Sequence, residues 1–174
     1  MNVIQKIICL VFLSSVSVCG TIYVSSSLDG ASKQEGFMSE DLINSTFSLG
    51  YFDTVWEKRK TNYSINLGVD LTANDNFNFI SFYTMFNYKF SNSIFSSFIL
   101  GIDFFDHEYV LNNNEVYHPD AKGGSMYGLS ISYLLTKNLP VSLDYKVFNA
   151  SEAQSDEWID LTYEKLAVNL GYKF

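Results

Sequence analysis

Apolar residues recur at every second position through most of this chain, in segments of roughly ten residues separated by polar stretches. A two-residue period is that of a β-strand, whose successive side chains point to opposite faces. The last segment, Glu164 to Phe174 (EKLAVNLGYKF), is the clearest. Leu166, Val168, Leu170, Tyr172 and Phe174 share one face, while Lys165, Ala167, Asn169, Gly171 and Lys173 share the other. After the N-terminal segment no apolar run is long enough for a spanning helix, but a membrane-crossing strand needs only about 9–11 residues.

Five more segments repeat the arrangement: Tyr63 to Thr72, Ile80 to Phe90, Ile94 to Phe104, Tyr127 to Leu135 and Leu139 to Val147. Two weaker ones, 21 to 28 and Phe47 to Tyr51, bring the expected total to eight strands. The connections alternate in length. Segments 29–44, 73–78, 106–122 and 149–162 are long or polar, whereas 54–61, Ser91-Asn92 and 136–138 read as turns. Turn 54–61 is awkwardly long and holds the run Glu57-Lys58-Arg59-Lys60. A strand continuing past Phe52 would shorten it. The basic run could contact lipid phosphate, although a solvated turn is the simpler reading.

Residues 1–20 (MNVIQKIICLVFLSSVSVCG) place Lys6 before an apolar run and small residues after it. That is the pattern of a secretory signal peptide, with a barrel domain expected over 21–174. The apolar run, about 12 residues, is too short to cross hydrocarbon roughly 30 Å thick. A lipid-modified Cys19 is disfavoured because Val18, not a small residue, precedes it. Both cysteines, Cys9 and Cys19, lie in this segment, so the mature domain has no internal disulfide to supply stability. A closed sheet in a bilayer is one alternative source.

Within hydrocarbon every backbone polar group must be paired inside the protein, which only helices and edgeless sheets achieve. The fold expected is therefore an all-β, eight-stranded antiparallel transmembrane barrel with its polar faces inward. That assignment puts Asp70, Lys89, Asp103, Asp144 and Lys146 in or near the lumen, with Lys165 and Lys173 on the same side. A soluble sandwich would bury the apolar faces instead. The aromatic character of those faces and the export signal favour the barrel: Tyr88, Phe90, Tyr172 and Phe174 collect at one end, as an interfacial girdle would. The net charge of −8 argues against nucleic-acid binding.

The ending LAVNLGYKF, with Tyr172 two positions before a terminal Phe174, resembles that of the small outer-membrane β-barrel proteins (opacity-type, OmpX-like and OmpA-transmembrane-like). The resemblance covers 20–174 as architecture. It implies residence in the outer membrane of a Gram-negative bacterium, contact with outer-membrane lipid and lipopolysaccharide, and recognition of Leu166, Val168, Leu170, Tyr172 and Phe174 by the outer-membrane assembly machinery. In such barrels the turns are periplasmic and the longer loops external. An even strand count then makes the C-terminus periplasmic.

Residues that carry chemistry are sparse. Acidic loops containing Asp106, Glu108, Glu115 and Asp120, or Glu152, Asp156, Glu157 and Asp160, could hold divalent cations, but none has calcium-hand spacing. His107 and His118 are the only histidines. A lipid A deacylase-like site needs a His and a Ser two residues apart, and here those positions hold Tyr109 and Asp120. No cofactor is implied. A small channel competes with a structural or surface-interaction role through the acidic loops. An eight-stranded lumen, however, is just wide enough to be filled by side chains, and Tyr83, Met85, Phe95 and Ile99 are placed to fill it.

Overall fold

A computed structural model describes residues 20–35, 46–58, 61–73, 77–107, 109–110, 116–117, 123–154 and 157–174. The strands are β1 (Thr21–Glu35), β2 (Phe47–Glu57), β3 (Tyr63–Ala73), β4 (Phe77–Lys89), β5 (Ile94–His107), β6 (Tyr109–Val110), β7 (Val116–Tyr117), β8 (Gly124–Thr136), β9 (Leu139–Gln154) and β10 (Glu157–Lys173). Eight of them close a barrel in the order β1-β10-β9-β8-β5-β4-β3-β2, and β6 pairs only with β7. All pairings are antiparallel. Because β1 pairs with both β2 and β10, the barrel has no free edge to leave backbone groups unpaired.

The alternation in sequence becomes an inside and an outside. Along β8, Met126, Gly128 and Ser130 are buried while Tyr127, Leu129, Ile131 and Tyr133 are exposed; Leu129 is 60% and Ile131 65% exposed. The same apolar outer wall continues through Phe82 and Phe86 on β4, Phe98, Leu100, Ile102 and Phe104 on β5, and Val168, Leu170 and Tyr172 on β10 with Phe174 just after it. A water-soluble protein seldom exposes a contiguous apolar surface of this extent. Hydrocarbon as the outer solvent accounts for it.

One end of the barrel carries the tight turns and both ends of the closed sheet. Lys137 and Asn138 turn β8 into β9, and Ser91 Oγ accepts hydrogen bonds from the backbone N–H groups of Ser93 (3.2 Å) and Ile94 (3.1 Å). A hydroxyl that satisfies local backbone donors favours a turn at that position. β2 runs on to Glu57, with a register shift between Thr54 and Trp56, and β3 begins at Tyr63, so the connection is shorter than the alternation alone indicates.

At the other end the strands outrun the sequence pattern. Segment 149–162, expected as a loop, is largely strand: β9 and β10 stay paired out to Gln154 and Glu157. Past the alternating segments, pairing continues through backbone bonds with no side-chain period to announce it. Within the expected loop 106–122, Tyr109 and Val110 pair with Tyr117 and Val116. The side chains of His107, His118 and the acidic residues of these two segments lie outside the described residues.

Candidate functional site in the barrel lumen

The inward face of each strand is polar or small, and cross-strand register decides what meets. Tyr23 of β1 lies between Gly50 of β2 and Gly171 of β10. Tyr83 of β4 lies between Gly68 of β3 and Gly101 of β5. The glycines leave room for the two rings to lie against the wall: a Cβ on Gly50 would run into the Tyr23 ring, and one on Gly68 into the Tyr83 ring. Ring covering glycine is a recurrent way to pack a sheet where a side chain is missing.

The two phenols meet inside the barrel, hydroxyl to hydroxyl at 3.0 Å, and Tyr23 donates to Asp70 Oδ2 at 2.7 Å. Lys146 Nζ donates to the same oxygen at 2.9 Å, and Thr72 Oγ1 donates to Asp70 Oδ1 at 3.1 Å. Asp144 Oδ2 lies 3.9 Å from Lys146, which therefore has a carboxylate on two sides. The ammonium is also 5.8 and 5.3 Å from the centres of the Tyr23 and Tyr83 rings, within cation–π range. An ion pair taken out of water is tolerated only when its remaining lone pairs and protons are used. Here they are used from five directions.

Further hydrogen bonds spread the network around the wall. Asp144 Oδ1 accepts from Ser130 (2.5 Å) and Ser142 (2.9 Å), and Ser142 in turn accepts from Asn169 (2.7 Å). Lys165 Nζ donates to Ser48 Oγ, which lies 2.7 Å from Thr72 Oγ1. Toward the long connections, Met126, Phe148 and Tyr163 are buried as an apolar plug, and Ile99 is buried in register with Gly128, in the row that also holds Lys146. Phe148 and Tyr163 stack at 5.5 Å.

Below the layer, a cavity of about 170 Å³ opens at the turn end between residues such as Asn66, Asn87, Ser97 and Ser132. It narrows to a space of about 40 Å³ against Tyr23, Tyr83, Asp144 and Lys146. One water in the liquid occupies about 30 Å³. The lumen is therefore a short vestibule ending in a plug.

Among the charges expected inside, Asp70, Asp144 and Lys146 meet in this cluster. Lys89 is half-buried at the turn end of β4. Asp103 is fully buried but stands apart, beside Ser81 and Gly124 in register. Its two carboxylate oxygens and Ser81 Oγ make no hydrogen bond among the described residues. Alternation assigns Asp103 a face but not its neighbours. Tyr23 and Lys165 were not singled out as members of the cluster. A large inward residue flanked by glycine was the available signal, but it is legible only once register is known.

No protein-family model and no curated protein matches the sequence. Solved structures do match in fold. Neisserial surface protein A aligns with TM-score 0.55 at 12% identity, over 91% of this chain and 98% of that one. The N-terminal β-barrel domain of Pseudomonas aeruginosa OprF aligns with TM-score 0.55 at 8% identity, over 88% and 97%. A de novo designed transmembrane β-barrel aligns with TM-score 0.50 at 15% identity, over 90% and 96%. With its closed eight-stranded sheet, apolar exterior and polar filled interior, the chain has the fold of the small outer-membrane β-barrel proteins.

Proposed function

We propose that this protein is an integral barrel of the Gram-negative outer membrane, exported by the segment 1–20, which acts as a structural element or surface-interaction module through its acidic connections. The observation that carries the reading is the occluded lumen: Tyr23, Asp70, Tyr83 and Lys146 join across it, with the Met126, Phe148 and Tyr163 layer behind them. A filled barrel transports nothing through its centre, which leaves the outer wall and the two ends to act. The acidic segments 106–122 and 149–162 belong to the end opposite the turns. In this reading they face outward, toward lipopolysaccharide, divalent cations or neighbouring surfaces, and Phe174 lies on the periplasmic side.

Single-channel recording on the purified barrel in planar bilayers tests this reading. The expected record is free of discrete openings, and regular conductance steps would replace the anchor with a channel. Mass spectrometry of lipid A from cells with and without the protein tests the enzymatic alternative, with identical spectra expected. Fractionation with heat-modifiable migration tests location. A soluble protein that migrates alike boiled and unboiled would overturn the membrane assignment.

A further inference from the structure

The turn end of the barrel is basic, in contrast to the rest of an acidic chain. Lys58 follows β2, Lys89 ends β4, Lys137 occupies the turn between β8 and β9, and Lys173 ends β10. Every strand connection at this end except Phe90–Ser93 thus holds a cation, and Lys89 directly precedes that one. Sequence adds Arg59 and Lys60 to the first connection. Two side-chain carboxylates among the described residues, Asp53 and Glu57, share this end. Backbone bonds hold the cations in two groups. Lys89 N donates to Asn62 O at 2.7 Å, beside the Lys58 turn, and Lys173 N donates to Asn138 O at 2.8 Å, beside Lys137.

A second feature fixes the depth of these cations. Outward-facing aromatic rings flank them: Trp56 by Lys58, Tyr88 and Phe90 on either side of Lys89, Tyr172 and Phe174 on either side of Lys173. The rings pack together, Tyr63 with Tyr88 at 5.1 Å, Tyr88 with Phe90 at 4.9 Å and Tyr172 with Phe174 at 5.5 Å. Aromatic girdles settle at the headgroup level of a bilayer. A lysine next to such a ring can lay its methylene stem along the apolar boundary and extend its ammonium to the phosphate layer.

We propose that the turn end is a binding rim for anionic phospholipid headgroups, in which Lys58, Lys137 and Lys173 contact the phosphates of the leaflet at that end. The inference rests on the membrane reading above and adds to it a lipid class and the residues that select it. A soluble polyanion would be met equally well by cations spread over any solvated surface. These cations are instead confined to the one rim where the apolar wall stops.

The test uses the full barrel folded into phosphatidylcholine vesicles with and without phosphatidylglycerol, with lipid retention read by native mass spectrometry. Wild type is expected to retain phosphatidylglycerol at least about tenfold over phosphatidylcholine, given a contribution of about fivefold per basic residue near an anionic surface. Salt should erode the preference. Replacing Lys58, Arg59, Lys60, Lys137 and Lys173 together by Gln should abolish it, and replacing the four lysines by Arg should preserve it. Equal retention of both lipids by wild type, or a preference that survives the Gln variant, overturns the proposal. So does full competition by inorganic phosphate, which would make the ligand a soluble anion. Folding into neutral vesicles is scored separately: a wild type that inserts in neither lipid refutes the membrane reading itself.

Discussion

The Tyr23 ring covers Gly50, and neither residue can change size without disturbing the other. The pair locates the Tyr23 hydroxyl at Asp70, 2.7 Å away, and so links wall packing to the charged layer that closes the lumen. Gly50→Ala forces the ring inward onto Lys146. Overpacking of this kind costs about 1–3 kcal/mol. Tyr23→Phe keeps the ring and removes the hydroxyl's bonds to Asp70 and to Tyr83, of which the one to the buried carboxylate alone is worth about 1.5–3 kcal/mol. In a double-mutant cycle on urea unfolding in vesicles the two losses should be less than additive, because both act through the same hydroxyl. Strict additivity would mean that the ring does not convey the effect.

The Asp70–Lys146 pair gives a second, larger prediction. Asp70→Ala strands a buried ammonium whose remaining carboxylate neighbour is 3.9 Å away. Breaking a buried pair from one side costs about 3–5 kcal/mol. Replacing both members with apolar residues, as in Asp70→Leu with Lys146→Met, should recover part of that loss, since the stranded ammonium is then gone and Asp144 keeps its hydrogen bonds from Ser130 and Ser142. Unfolding midpoints of the two single variants and the double variant decide the matter. A double variant worse than either single variant would show that the charges are needed for more than each other.

The outward half of this fold was legible because lipid imposes one requirement at every second position, so Leu129, Ile131 and Tyr133 or Leu166, Val168 and Leu170 announce their face unaided. The inward half obeys a rule between strands. Gly50 and Gly68 could be assigned inward by alternation, but that Tyr23 and Tyr83 would lie over them depends on register, and register joins residues far apart in sequence. Past the membrane the signal fades for a different reason. The ribbon from Asn149 to Thr162 lies past the alternating segments, and its pairing is carried by backbone bonds that any alternation of side chains would permit.

Depth in the membrane should be readable by substitution along one strand. Leu129 faces outward near the middle of β8, beside Phe98 and Tyr145 in register, whereas Ser125 faces outward near its loop end. Arginine on a barrel's lipid face costs about 2–4 kcal/mol at the midplane and about 0–1 kcal/mol near the interface. Leu129→Arg should therefore lower the unfolding midpoint in vesicles sharply while Ser125→Arg leaves it nearly unchanged. If Leu129→Arg were neutral, the exposed apolar wall would not be in contact with hydrocarbon.

Phe174 separates stability from recognition. Its backbone N–H donates to Gly20 O at 3.1 Å, and its ring packs edge-on against Tyr172, so it completes the seam between β10 and β1. That contact alone predicts a modest loss on deletion, because the pairing of Thr21 with Lys173 remains. If the outward set Leu166, Val168, Leu170, Tyr172 and Phe174 is read by the assembly machinery, deletion should impair insertion in cells far more than unaided folding into vesicles. The two measurements are heat-modifiable migration of the exported protein and the folding yield of the purified chain. Equal impairment in both would make Phe174 a seam residue, and normal assembly in cells would remove it from the recognition signal.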